Sequence, residues 1–136
     1  MHNTYIAVVV AALAAWIFGA IWYGVLGKTW MAASGIAPDE IERRRKERKM
    51  PLAPMAMSFL CEIVMAVLLS LLLAALGVGD LISGAIVGLV LGIGFIATSV
   101  LVNNMFQGRK LMLSVIDSAH WIIVLTIEGA VLVLLS

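Results

Sequence analysis

A chain of 136 residues that is 63% hydrophobic and only 12% charged is not a soluble domain, which runs nearer half apolar and about a quarter charged. A mean hydropathy of +1.12 points to an integral membrane protein, long enough for one compact set of helices. The net charge is only +1, and the basic run is short and interleaved with acids, which argues against a nucleic-acid partner.

The first apolar stretch covers about residues 5–25. No basic residue precedes its apolar part, and it continues into "WIFGAIWYGVLGKTW" rather than a small-residue cleavage site, so it reads as a retained span. Trp16, Ala20, Tyr23, Gly27 and Trp30 recur at helical spacing and make a seam of alternating aromatic and small residues. Trp22, Tyr23, Lys28 and Trp30 lie where interfacial anchors are usual. Trp16 is deeper and suits packing against a neighbouring helix.

Residues 38–50 form a charged segment, within "PDEIERRRKERKMP". Pro38 suits a first helical position, acids crowd the start and bases the end, and both trends complement the helix dipole. Glu40–Arg44 and Glu42–Lys46 are favourable i,i+4 pairs. Ile41 is nearly the only apolar residue, so the predicted helix lacks a face for embedding. It reads as a headgroup-surface helix, or as a docking site for anionic lipid or a partner.

Apolar stretches follow at about residues 55–76, 81–106 and 111–135. Each is long enough to cross about 30 Å of hydrocarbon, and none alternates as a barrel strand would. The second carries Glu62 on a face with Ser58, and also Cys61, the single cysteine, which reads as an inert buried thiol. "GVGD" and "QGRK" are tight turns, which make consecutive helices antiparallel neighbours. The expected fold is all-α, an antiparallel four-helix membrane bundle.

In the third stretch Gly84, Gly88 and Gly92 recur every four residues, and Ser99, Asn103 and Phe106 fall in the same helical sector. Such a stripe lets helices approach closely, within one chain or between copies. In the fourth, Asp117, Trp121, Val124 and Glu128 share a face flanked by His120.

All nine Lys and Arg residues fall between the first and second stretches or between the third and fourth. In a four-span chain those connections share one side. The positive-inside rule puts that side in the cytoplasm and both termini outside it.

A charge at the bilayer centre costs about 2.5–3.5 kcal/mol on insertion scales. The intramembrane acids must therefore be neutral, paired or turned toward a polar interior. Depth counting brings Glu62 and Asp117 to one level, roughly 10–12 Å in, with His120 slightly deeper and Asn103 shallower. Glu128 stands apart toward the outer side, where it reaches water or a contact. Glu62, Asn103, Asp117 and His120 read either as a structural knot fixing helix register or as a proton-responsive translocation or binding site. Carboxylates and imidazole also suit a metal, but neither HExxH nor CxxC occurs, so no metal and no cofactor is expected. Ser118 and His120 do not face each other on a helix, and "GVGDLISG" lacks the Gly-Lys-Ser/Thr end of a phosphate loop. No enzyme is expected.

"AWIFGAIWYGVLGKTWM" resembles, with three residues rather than four between Tyr23 and Gly27, the Gly-x-x-Trp-Tyr-x-x-x-x-Gly-Lys-x-Trp pattern of the small bacterial membrane proteins of domain-of-unknown-function family 1761. "ATSVLVNNMFQGRKLMLSVIDSAHWIIVL" resembles their third-to-fourth-span junction. The resemblance covers nearly the whole chain, and the matching positions are Trp22, Tyr23, Gly24, Gly27, Lys28, Trp30, Asn103, Gly108, Arg109 and Asp117. It implies four spans and brings no activity, substrate or cofactor. His120 and Glu128 depart from the pattern, which leaves Asp117 as the favoured site residue with Asn103 and Arg109 beside it, Arg109 snorkelling to the cytoplasmic face.

The expectation is a homo-oligomeric transporter- or channel-like protein of the bacterial inner membrane. Asp117 is its proton or cation acceptor, His120 the titrating partner, Asn103 the orienter, and the glycine stripe a contact between copies. The alternative is a non-catalytic accessory subunit bound to an unknown membrane partner.

Overall fold

The computed structural model describes residues 2–136, with side chains from Thr4 onward. The helices are α1 (His2–Ala33), α2 (Pro38–Glu47), α3 (Leu52–Leu76), α4 (Leu81–Phe106) and α5 (Leu111–Leu135), and there is no strand among the described residues. α1, α3, α4 and α5 are long and apolar enough to cross a membrane. Their outward surfaces are apolar too: Val25, Leu71 and Phe95 stand exposed. That pattern suits lipid as the solvent, where every backbone group must be satisfied inside its own helix.

α1 runs on to Ala33, past the end of the apolar stretch at Val25, because its later turns are tied to α5. α2 starts with Pro38 in its first turn and ends at Arg48, which takes a left-handed φ of 49°. Arg43 bridges Glu40 and Glu47, and Arg44 also reaches Glu40. These guanidinium hydrogen bonds, from Arg43 first and then Arg44, hold the Glu40 carboxyl down at about 2. The expected Glu42–Lys46 pair does not form among the described residues. Ile41 is buried and pins α2 to the rest. Gly77 ends α3 at a left-handed φ of 67° that only glycine adopts freely. Asp80 caps α4 by accepting from the Ser83 N–H at 2.9 Å.

α5 is the centre of the packing. It lies along α1 on one side and α4 on another, and it also meets α3, while α1 and α4 do not touch. α3 and α4 share a tight turn yet hardly contact each other, so the hairpin connection does not make them packed neighbours. α4 is drawn onto α5 instead by its glycines. A Cβ on Gly84 would run into Gly129 O, one on Gly88 into Leu125 O, and one on Gly92 would sit 2.8 Å from Ile122 Cα. The stripe is thus used up inside the chain.

That stripe ends at a π-helical segment, Gly92–Ala97. A π turn holds an extra residue, so everything beyond it is rotated out of the sector. Gly84, Gly88 and Gly92 are buried, whereas Ser99, Asn103 and Phe106 are exposed.

Two observations sort the ends of the helices. Arg109 Nη1 donates to Ser34 O at 2.9 Å, which joins the α4–α5 turn to the end of α1. Thr4, Gly79 and Ser136 line one hollow of about 200 Å³. All nine basic residues therefore gather at one end, opposite Thr4 and Ser136.

Candidate functional site

The inner face of α1 begins with Ala7, Ala11, Ala12 and Ala15, all fully buried. Small residues let helices close up in lipid. Trp16 then props the helices apart. Its indole N–H donates to Met55 O at 2.9 Å, and its ring meets Phe59 edge-on at 5.9 Å. Beyond it α1, α3 and α5 enclose a cleft of about 450 Å³, lined by Trp16, Gly19, Tyr23, Ser58, Glu62, His120 and Trp121 and running to Met50 and Pro51 at the basic end.

Glu62 is 1% exposed, and its Oε2 has no hydrogen-bond partner. His120 is 5% exposed, and its Nδ1 also lacks one. The imidazole is wedged among rings: stacked on Phe18 at 6.1 Å, tilted on Tyr23 at 4.9 Å and edge-on to Trp121 at 4.7 Å. On α1 it lies over Gly19, where a Cβ would come within 2.8 Å of Nε2.

Glu128 does not reach the outer interface. It is fully buried with both carboxyl oxygens unpartnered, and it lies near Glu62. Depth counting placed it apart because such counting treats the helices as level, whereas α5 is enclosed at that height, with Gly129 and Leu132 buried alongside.

Asp117 belongs to a separate cluster. Its Oδ1 accepts from the Tyr23 hydroxyl at 2.6 Å and the Trp30 indole at 3.0 Å. Next to it, the Trp22 indole donates to Ile116 O at 3.2 Å. The aromatics read as a lipid-facing belt thus turn their polar atoms onto α5. Asp117 forms no hydrogen bond with His120, Glu62 or Asn103 among the described residues. Asn103 is exposed beyond the π segment. Its neighbour Asn104 donates to Ser114 Oγ at 3.1 Å instead. Lys28 is exposed, and Arg109 binds Ser34 rather than the cleft.

The fold therefore brings Glu62 and His120 to one cleft, sets Glu128 behind Glu62, ties off Asp117 and leaves Asn103 outside. Among the described residues no group of three or more His, Cys, Asp or Glu is placed to hold a metal ion. Gly19 was not singled out from the sequence. Its signal was a glycine inside a helix, which costs about 1 kcal/mol against alanine and so marks a close approach.

The family model described as "Protein of unknown function (DUF1761)" matches residues 6–133, nearly the whole chain. No curated protein and no solved structure matches it.

Proposed function

The chain belongs to this family of unknown function (DUF1761), and from the geometry of its cleft we propose a non-enzymatic, homo-oligomeric transporter- or channel-like protein with Glu62 and His120 as its intramembrane site. The observation that carries this reading is the Glu62 carboxyl, buried in the cleft wall with an unpartnered oxygen. An acid in a span is costly to keep and marks a functional position by default. Asp117, the acceptor favoured by the family resemblance, already takes two hydrogen bonds on Oδ1 and serves to join helices, so Glu62 takes the acceptor role.

The proposed setting is the bacterial cytoplasmic membrane, with the spans antiparallel. The basic end faces the cytoplasm and both termini face away, as the positive-inside rule directs. The cleft then opens inward. Leu69, Leu73 and Leu132 are buried between it and the opposite hollow, so passage requires helix movement or a second copy.

The test is flux into liposomes holding a pH-sensitive dye, with wild type, Glu62→Gln and Asp117→Asn compared. Proton-linked flux in wild type that disappears in Glu62→Gln, while helicity and melting persist, supports the proposal. Silent wild type, or equal flux in Glu62→Gln, ends it.

One observation favours the accessory-subunit reading. α3 and α4 leave an apolar groove of about 250 Å³ lined by Met65, Leu68, Leu72, Leu91, Phe95 and Ile96. Native mass spectrometry after mild extraction separates the two: a fixed ratio with another protein supports the subunit, and a homomer the transporter.

A further inference from the structure

We propose that the cleft between α1, α3 and α5 binds an organic monocation, an apolar or aromatic body bearing one positive charge and an N–H donor, with the cationic head on Glu62 and the body between Trp16 and Trp121. This names a substrate class for the site proposed above and rests on that reading of Glu62.

The charge follows from the lining. Glu62 is the only Asp, Glu, Lys or Arg side chain among the residues lining the cleft, where it is joined by the imidazole of His120. Its Oε2 is buried and unpartnered, so a donor is the missing complement. The body follows from the walls. Trp16, Tyr23 and Trp121 supply aromatic faces, which attract a cation while covering apolar surface. Met50 and Met55 lie toward the entrance, and methionine adapts to irregular shapes.

Size and side-chain ligand number favour an organic cation over a bare hard metal ion. A cleft of about 450 Å³ falls in the range that holds small organic molecules, roughly 300–1,000 Å³. Hard cations require about six or more oxygen ligands, and the oxygen-bearing side chains of the wall are Glu62, Ser58 and Tyr23.

The Glu62 oxygen that takes a cationic N–H also takes a proton, so the two compete and affinity falls as pH is lowered. The titratable groups facing Glu62 are His120 and Glu128 from α5 and Tyr23 from α1. α4 has no titratable side chain. On α3 itself Cys61, read from the sequence as a buried thiol, is exposed instead.

The experiment titrates ethidium, a planar aromatic monocation, into the full chain in nanodiscs and follows quenching of tryptophan emission. Anilinonaphthalene sulfonate serves as an anion of comparable size. The expected result is saturable quenching by ethidium alone, weakened about tenfold or more by Glu62→Gln and largely kept by Glu62→Asp, with tenfold corresponding to about 1.4 kcal/mol. A second variant leaves Glu62 intact. Gly24 lines the cleft, and a Cβ there meets nothing within 4 Å; Gly24→Phe adds bulk to the cleft wall from that open position and is expected to block binding while helicity is retained. Equal affinity in Glu62→Gln, equal binding of the anion, undiminished binding in Gly24→Phe, or no saturable cation binding overturns the proposal. If flux depends on Glu62 but ethidium does not bind, the ligand class falls and the transport reading stands. If ethidium binds through Glu62 and no flux occurs, the transport reading falls and the ligand class stands.

Discussion

Tyr23 places its hydroxyl 2.6 Å from Asp117 Oδ1, and this bond fastens the later turns of α1 to the first turns of α5. Trp30 donates to the same oxygen at 3.0 Å. Tyr23→Phe removes one of two donors and is expected to cost about 1–2 kcal/mol, above the membrane average for interhelical bonds because the acceptor is a carboxylate. A double-mutant cycle with Asp117→Ala, followed by reversible unfolding in mixed detergent micelles, checks it. Strictly additive losses would show that the bond contributes nothing.

The glycine stripe makes a sharper contrast. A Cβ at Gly88 would overlap Leu125 O, while one at Gly94 meets nothing within 4 Å. Gly88→Ala is therefore expected to lose at least about 1–3 kcal/mol through overpacking. Gly94→Ala should stay within about 0.5 kcal/mol. Equal melting temperatures for the two variants would contradict the α4–α5 seam.

Gly19 is an intermediate case. Its added Cβ would press on His120 Nε2 at 2.8 Å, and a ring can shift where a backbone carbonyl cannot. Gly19→Ala is expected to lose about 1 kcal/mol, and His120→Ala in the same chain to relieve part of that loss. Unfolding of the two single variants and the double variant gives the coupling. No coupling would mean that His120 does not rest on Gly19.

Asp80 supplies a pH dependence outside the spans. Hydrogen bonds from the Ser83 side chain and backbone hold its carboxyl below the ordinary value of 3.8. A group whose folded pKa is depressed stabilises fully above its unfolded value and loses that contribution as pH falls through the folded one. The difference in melting temperature between wild type and Asp80→Ala should thus be constant near neutrality and shrink below about pH 4. Thermal melts across that range test it, and a difference that grew on acidification would reverse the sign.

The four long apolar helices were legible because lipid demands long uninterrupted apolar runs, a signal that needs no knowledge of partners. The family resemblance was legible through Trp22, Tyr23, Trp30 and Asp117, and the fold gives those residues a reason, since they meet in one cluster. What spacing could not give was rotation and stagger. Asn103 shares a sector with Gly84 only on an unbroken α-helix, and the π segment at Gly92–Ala97 breaks that count. Glu128 counts as shallow only on a helix that stands level and faces out, whereas α5 is central and encloses it. The cleft was illegible for a related reason: it is made by the bulk of Trp16 against the absence of a side chain at Gly19, a contrast visible only once three helices are set together.

The central place of α5 also bears on how the protein is made. A ribosome delivers α1, α3 and α4 to the bilayer before α5 exists, and α1 and α4 meet only through it. Until residue 111 emerges, the glycines of α4 have nothing to seat against, and Tyr23 and Trp30 have no carboxylate to hold. α1 and α3 already meet through Trp16, Met55 and Phe59, while α4 waits in lipid without its partner. Arrival of the last helix then completes core and cleft together, so a translation stall before it leaves α4 without its seat.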